Sequence, residues 1–212
     1  MTTRRARIDL GRIIMVPAAA FVLLLDLRTL ARTVSAGGWA HLPVTLLICA
    51  FYAVVIWCYL RRRPAVATSA SVTAHVAAVT ATLAPMLFPL LPATIPGTAA
   101  QVAGGVLLMI GTAWSVWALR SLGRSLSVLA QAREVVERGP YRWIRHPLYT
   151  GELVSSLGLA ISIGSPAAAV LWLALCGLQV YRAVREEQVL LLALPAYAGY
   201  RSRTAALLPG VF

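Results

Sequence analysis

The 212-residue chain has no lysine, so all 19 of its basic residues are arginines. It has only seven acidic residues, and its charged share of 12% is about half that of an ordinary soluble domain. That shortage excludes a soluble globular chain. The three cysteines, Cys49, Cys58 and Cys176, are odd in number and match no metal-ligand spacing, so they read as small buried apolar residues rather than a disulfide or metal framework. His41 and His75 stand in unrelated segments without acidic neighbours, and no set of His, Cys, Asp and Glu has the spacing of a metal site. G-x-S-x-G, P-loop and G-x-G-x-x-G motifs are missing where they would have to stand, which leaves a hydrolase or a soluble-type nucleotide fold without support. No small-residue cleavage site follows the arginine-rich start, so the first apolar segment is expected to remain as an anchor. The apolar segments hold almost no ionisable residues, which argues against an intramembrane ion path.

What is present is apolar. Hydrophobic residues make up 59% of the chain, mean hydropathy is +0.78, and runs of membrane-spanning length recur. The net charge of +12 sits in clusters at the ends of those runs: Arg4, Arg5, Arg7 and Arg12; Arg61 to Arg63; Arg120 to Arg145; Arg182 to Arg203. This is the distribution of the positive-inside rule. Anionic lipid headgroups account for it without a nucleic acid or an obligate protein partner. The expected fold is an all-α polytopic membrane bundle with about six hydrophobic segments, at about 11–27, 41–60, 71–91, 99–119, 149–163 and 166–184. The last two form a C-terminal helical hairpin broken at Gly164-Ser165-Pro166, each half near the lower limit for a full crossing. Placing the N-terminus in the cytoplasm of an inner or plasma membrane puts the C-terminus and the clustered arginines there too, and only Arg28 and Arg32 fall on the other side. One domain is expected, with four segments in 1–119 as scaffold and a functional part in 120–212 ending in a cytoplasmic helix.

One polar stretch stands apart. "RGPYRWIRHPLYTGE", Arg138 to Glu152, packs arginines, a histidine, three aromatics and two prolines at the mouth of an apolar segment. Pro147 suits the first turn of a helix, which places His146 at the helix start, where free N–H groups and arginines favour an anionic group. Gly151 leaves room for something to approach the backbone. Tyr141, Trp143 and Tyr149 fit either an interfacial aromatic belt or a stacking pocket. Glu186 and Glu187 stand side by side where the last hydrophobic segment is expected to end, a position the helix dipole opposes. Arg182 and Arg185 can compensate them, or one glutamate can face inward to a cationic or hydroxylic ligand.

The combination of "RGPYRWIRHPLYTGE", a hydrophobic hairpin, "REEQVLL" and "YAGYRSRTAALLPGVF", with "LGRS" at Leu122–Ser125, resembles the isoprenylcysteine carboxyl methyltransferase family. That family groups with the phospholipid methyltransferases among integral-membrane methyltransferases. The resemblance covers about Leu119 to Phe212. It implies S-adenosylmethionine-dependent methyl transfer to a lipophilic acceptor, such as the carboxylate of a prenylcysteine-like lipid, with S-adenosylhomocysteine as product. It also implies a cofactor site of Tyr141, His146, Pro147, Tyr149 and Gly151, with Glu186 or Glu187. His146 at a helix start suits the cofactor's carboxylate, a glutamate its ammonium or ribose diol, and tyrosine faces its adenine and sulfonium. A carboxylate acceptor needs no base, only an orienting arginine, for which Arg124 is the first candidate and Arg145 the second. An amine or hydroxyl acceptor is helped by a base, and Glu152 is the nearest in sequence. Two other classes compete: an NADPH-dependent membrane reductase of the sterol-reductase type, and a non-catalytic membrane protein keeping a decayed site.

Overall fold

A computed structural model describes residues 10–94, 96–129 and 131–208, so Arg4, Arg5, Arg7 and Asp9 lie outside the described residues. Among the described residues there are seven α-helices: α1 (Leu10–Ser35), α2 (Leu42–Arg61), α3 (Val72–Leu83), α4 (Thr98–Leu122), α5 (Pro147–Ile163), α6 (Pro166–Ala193) and the short α7 (Tyr197–Arg201). Their boundaries follow from local chemistry. The Ser71 hydroxyl caps α3 by accepting from the Ala74 amide at 3.3 Å. Pro85 and Pro89 then tighten its end into a 3-10 turn, Ala84–Leu90. Gly123, at φ +55°, stops α4 in a backbone conformation that L side chains rarely adopt. The expected hairpin break is found as written: Gly164 is left-handed at φ +70°, the Ser165 hydroxyl caps α6, and Pro166 fills its first turn.

The all-α polytopic reading holds, with five helices among the described residues long and apolar enough to cross a membrane: Gly11–Ser35, Leu42–Arg61, Val72–Leu90, Thr98–Ser125 and Pro166–Ala193. Two lengths differ from expectation. The first helix does not stop at Leu27 but runs on past Arg28 and Arg32 to Ser35. The hairpin is asymmetric. At about 1.5 Å per residue, the 17 residues of α5 fall short of a hydrocarbon core roughly 30 Å thick. The 28 residues of α6 exceed it, because the apolar stretch Val189 to Ala193 continues the helix past the glutamates.

The tightest packing joins α4 to α5 through small residues that periodicity alone did not single out. A Cβ on Gly158 would lie 2.5 Å from the Gly104 carbonyl, and one on Gly111 would lie 2.3 Å from the Ser155 amide. Without hydrophobic drive inside a bilayer, such small-residue seams let backbones close to van der Waals contact. Valines and leucines such as Val72, Val76, Leu173 and Leu192 are left exposed on the outer surface, as lipid-facing residues would be.

At one end of the bundle a two-residue antiparallel ladder pairs β1 (Ala67–Thr68) with β2 (Gln131–Ala132). It pins the 123–138 segment to the end of α2, where the Arg63 amide donates to the Arg124 carbonyl at 2.9 Å and Arg133 donates to the Arg63 carbonyl. The tail folds back to the same end: the Arg145 and His146 amides donate to the carbonyls of Ala205 and Ala206 at 2.8 and 3.0 Å. The arginine clusters of 61–63, 120–145 and 182–203 therefore share one end.

Candidate active site

Four pieces converge there: the start of α5, the last turns of α6, the 122–136 segment and the α7 tail. Because α6 runs on to Ala193, Glu186 and Glu187 are not at a helix end, as expected, but mid-helix. Adjacent residues on a helix point about 100° apart, and the two glutamates are used differently.

Glu187 is held by the protein itself. Its carboxylate accepts from Arg145 Nε at 2.6 Å and Arg201 Nε at 3.1 Å, and lies 3.2 Å from His146 Nε2. Arg145 also donates to the backbone carbonyls of Arg201, at 3.1 Å, and Thr204. This cluster ties α5, α6 and the tail together. Glu186 points elsewhere, accepting from the Tyr149 hydroxyl at 2.7 Å and lying 3.8 Å from His146 Nδ1. The His146 and Tyr149 rings stack at 5.2 Å and 7° between planes.

Glu186, His146 and Tyr141 line a cleft whose empty space, its open mouth included, is about 520 Å³. Arg133, Glu134, Tyr197 and Tyr200 share that lining. Two of the lining residues carry a buried polar atom without a hydrogen-bond partner, Arg133 at Nε and Tyr197 at its hydroxyl. A buried donor left unpaired is costly, so a small shift that gave either one a partner would be favourable. Burial pushes the phenols of Tyr141, Tyr197 and Tyr200 above the usual tyrosine range, with nearby glutamate charge adding to it, so all three stay protonated. The Tyr200 hydroxyl donates to the Tyr141 carbonyl at 2.6 Å and sets that segment against the tail.

Not every residue expected at the site reaches it. Arg124 is exposed, and its Nε donates to the Arg61 carbonyl at 3.1 Å; Leu122 and Ser125 line the cleft but Arg124 does not, because the 3-10 turn after Gly123 directs it back to the end of α2. Gly151 gives its missing side chain to α4 instead of a ligand: a Cβ there would lie 2.3 Å from Ser115 Oγ and 2.8 Å from the Gly111 carbonyl. Pro147 is fully buried, and its carbonyl accepts from Trp114 Nε1 at 2.9 Å, so it positions His146. Arg145 lines the cleft but is occupied by Glu187 and the tail. Glu152 lies within α5, one turn below Tyr149, where its carboxylate accepts from Gln179 Nε2 at 2.6 Å; it does not line the cleft.

Residues that the sequence did not single out include Arg133, Tyr197, Tyr200 and Gln179. Tyr197 and Tyr200 stand three apart on one turn of helix, a spacing that places both on one face. Gln179 is the one side-chain amide in the apolar run of α6, and it is wholly buried.

The fold and this site define a class: a membrane-embedded helical protein with a polar, aromatic cleft at one end of its bundle. Residues 99–193 match the model of the phospholipid methyltransferase family. The match runs from α4 to the end of α6, and over that part the chain is similar to the phospholipid methyltransferases. The match starts before the stretch on which the resemblance was read and ends before the tyrosine-rich tail. Among curated proteins none matches this chain.

Proposed function

We propose that the protein transfers a methyl group from S-adenosylmethionine to a lipophilic acceptor at the cytoplasmic face of an inner or plasma membrane, with both termini on that face. The observation that carries this reading is the donor set of the cleft. Arg133 and Tyr197, each with a buried polar atom that has no hydrogen-bond partner, line the same space as Glu186, Tyr141 and His146. That set is complementary to a ligand bearing a carboxylate, an ammonium, a ribose diol and a flat base. Arg133 and His146 suit the carboxylate, Glu186 the ammonium or the diol, and the tyrosines the adenine and the positive sulfur. When bound, S-adenosylmethionine supplies a methyl carbon on a positively charged sulfur, which keeps the electron pair as the methyl leaves.

The chain's own work is alignment and exclusion of water. Tyr149 orients Glu186, and the stacked His146 holds the opposite side of that pair. Pro147, Arg145 and Glu187 are positioning residues: they fix His146 and close the tail over the cleft. Calorimetric titration of the purified protein tests the reading. Saturable binding of S-adenosylhomocysteine with none of NADPH is expected; the reverse would replace it with the reductase. Incubation with labelled S-adenosylmethionine and a membrane lipid extract then identifies the methylated product.

A further inference from the structure

A polar chain runs on from Glu186, away from the cleft and into the apolar part of α5 and α6. Tyr149 and Glu152 stand three apart on α5; Gln179, Arg182 and Glu186 stand three and then four apart on α6. Those spacings put each set on one helix face, and the two faces meet. Arg182, only 6% exposed, lies at the centre. On one side its Cζ is 4.5 Å from the Tyr149 ring, whose hydroxyl donates to Glu186 at 2.7 Å. On the other side its Nη1 donates to Gln179 Oε1 at 3.1 Å, and Gln179 Nε2 donates to the Glu152 carboxylate at 2.6 Å.

The Gln179 amide is therefore used at both ends, its oxygen toward the cation and its nitrogen toward the anion. A wholly buried amide in an apolar run is costly unless hydrogen-bonded, and leucine would fill the space without that cost, so packing alone does not call for Gln179. What it does is couple Glu152 to Arg182, whose charge both Glu152 and Glu186 support. A buried guanidinium left without such compensation would be strongly destabilising.

Arg182 also reaches a second wall of the cleft. Its Nη2 donates to the Val128 carbonyl at 3.2 Å, while the Val128 amide donates to the Tyr59 hydroxyl at 3.0 Å. The Val128 peptide is gripped from both sides, and its neighbours Ser127, Gln131 and Arg133 line the cleft.

We propose that Glu152 and Gln179 are positioning residues of the methyl-transfer site: they hold the Arg182 guanidinium, and through it Tyr149, Glu186 and the Val128 peptide, without lining the cleft themselves. This rests on the methyl-transfer reading above and gives Glu152 a supporting role in place of that of a base.

The test uses the full-length protein in detergent and two readouts: calorimetric affinity for S-adenosylhomocysteine, and hydrogen exchange at the Val128 amide, which needs no cofactor. Gln179→Leu keeps the volume and removes both hydrogen bonds. It is expected to weaken S-adenosylhomocysteine and to speed exchange at Val128 by about tenfold each, the scale of a hydrogen bond to a charged group. A packing role alone would lower the thermal midpoint and leave affinity below that midpoint unchanged. Gln179→Glu sets two carboxylates against each other and is expected to impair both readouts. Adding Glu152→Gln to it restores one carboxylate and one amide in reverse order, with the carboxylate directly on Arg182. That exchanged pair should bring both readouts back to within about threefold of native, a coupling that the double-mutant cycle measures. Should Gln179→Leu fail to fold, the exchanged pair decides. Folded Gln179→Leu with both readouts within about twofold of native, or an exchanged pair no better than Gln179→Glu, would overturn the proposal. Should S-adenosylhomocysteine fail to bind the native protein while exchange at Val128 responds as expected, the methyl-transfer reading falls and the hold of Glu152 and Gln179 on the Val128 peptide stands.

Discussion

Replacing Glu187 with alanine removes the acceptor at the centre of the tail clamp. The side chains of Glu187 and Arg145 are 9% and 10% exposed, and breaking a buried ion pair by deleting one partner costs about 3–5 kcal/mol. Two features lower that figure. Arg145 keeps the carbonyls of Arg201 and Thr204, and Arg201, whose side chain is half exposed, can turn to water. A loss of about 2–3 kcal/mol follows, most of it the penalty of leaving Arg145 unpaired. The loss falls on local opening of the tail, because the helices below do not use Glu187. At about 1.4 kcal/mol per tenfold, exchange of the Arg145 and His146 amides, which donate to Ala205 and Ala206, should speed up by roughly 30- to 150-fold. Hydrogen exchange on the detergent-solubilised protein reads this directly. Glu187→Gln keeps an oxygen for Arg145 and should fall between; Glu186→Gln, outside the clamp, should leave both amides near their native rates. A speed-up below about threefold in Glu187→Ala would refute the clamp.

Much of this arrangement was legible in the residues, and what was not has identifiable causes. Gly164-Ser165-Pro166 carries its own stop and start signals, so the hairpin break is local and readable. Pro147 likewise announced a helix start with His146 at its cap. The end of α6 was not readable from hydropathy, because Arg185, Glu186 and Glu187 interrupt the apolar run although nothing in them breaks a helix. The error put both glutamates at a helix end and hid their division of labour, which comes from the angle between neighbours on a continuing helix. Arg124 and Gly151 were misplaced for a different reason. A motif states which residues recur together, but Gly123 turns Arg124 back onto α2, and the Gly151 gap is filled by α4, a partner distant in sequence. Arg133 and the tail tyrosines needed the same long-range information, since the β1–β2 ladder and the Ile144–Ala205 bridge bring them to the cleft.

Arg124→Ala should change neither S-adenosylhomocysteine affinity nor methyl transfer by more than about twofold, since an exposed side chain on a carbonyl contributes little; a loss beyond about tenfold at intact binding would return it to the mechanism. Glu186→Gln should weaken S-adenosylhomocysteine binding by about tenfold in titration, the worth of one charged acceptor, without lowering the thermal midpoint. Gly158→Ala should destabilise the solubilised protein by about 1–3 kcal/mol through overpacking, whereas Gly177→Ala, where a Cβ meets nothing within 4 Å, should be neutral or mildly stabilising because alanine is the better helix former. The last prediction concerns pH. Tyr197 and Tyr200 have phenols raised above their usual value of 10.0 by burial. In the undocked tail they lose their protons near that value, while in the docked tail they keep them. The docked state therefore binds more protons than the open one above that pH, and docking weakens as pH rises through it. Below that range the two states carry the same phenolic protons, so these residues give no pH dependence there. Amide exchange at Arg145 and His146, corrected for its intrinsic pH dependence, should be flat from about pH 7 to 9 and then show falling protection. In the Tyr197→Phe, Tyr200→Phe double variant the fall should disappear; if it persists unchanged, the phenols are not its source.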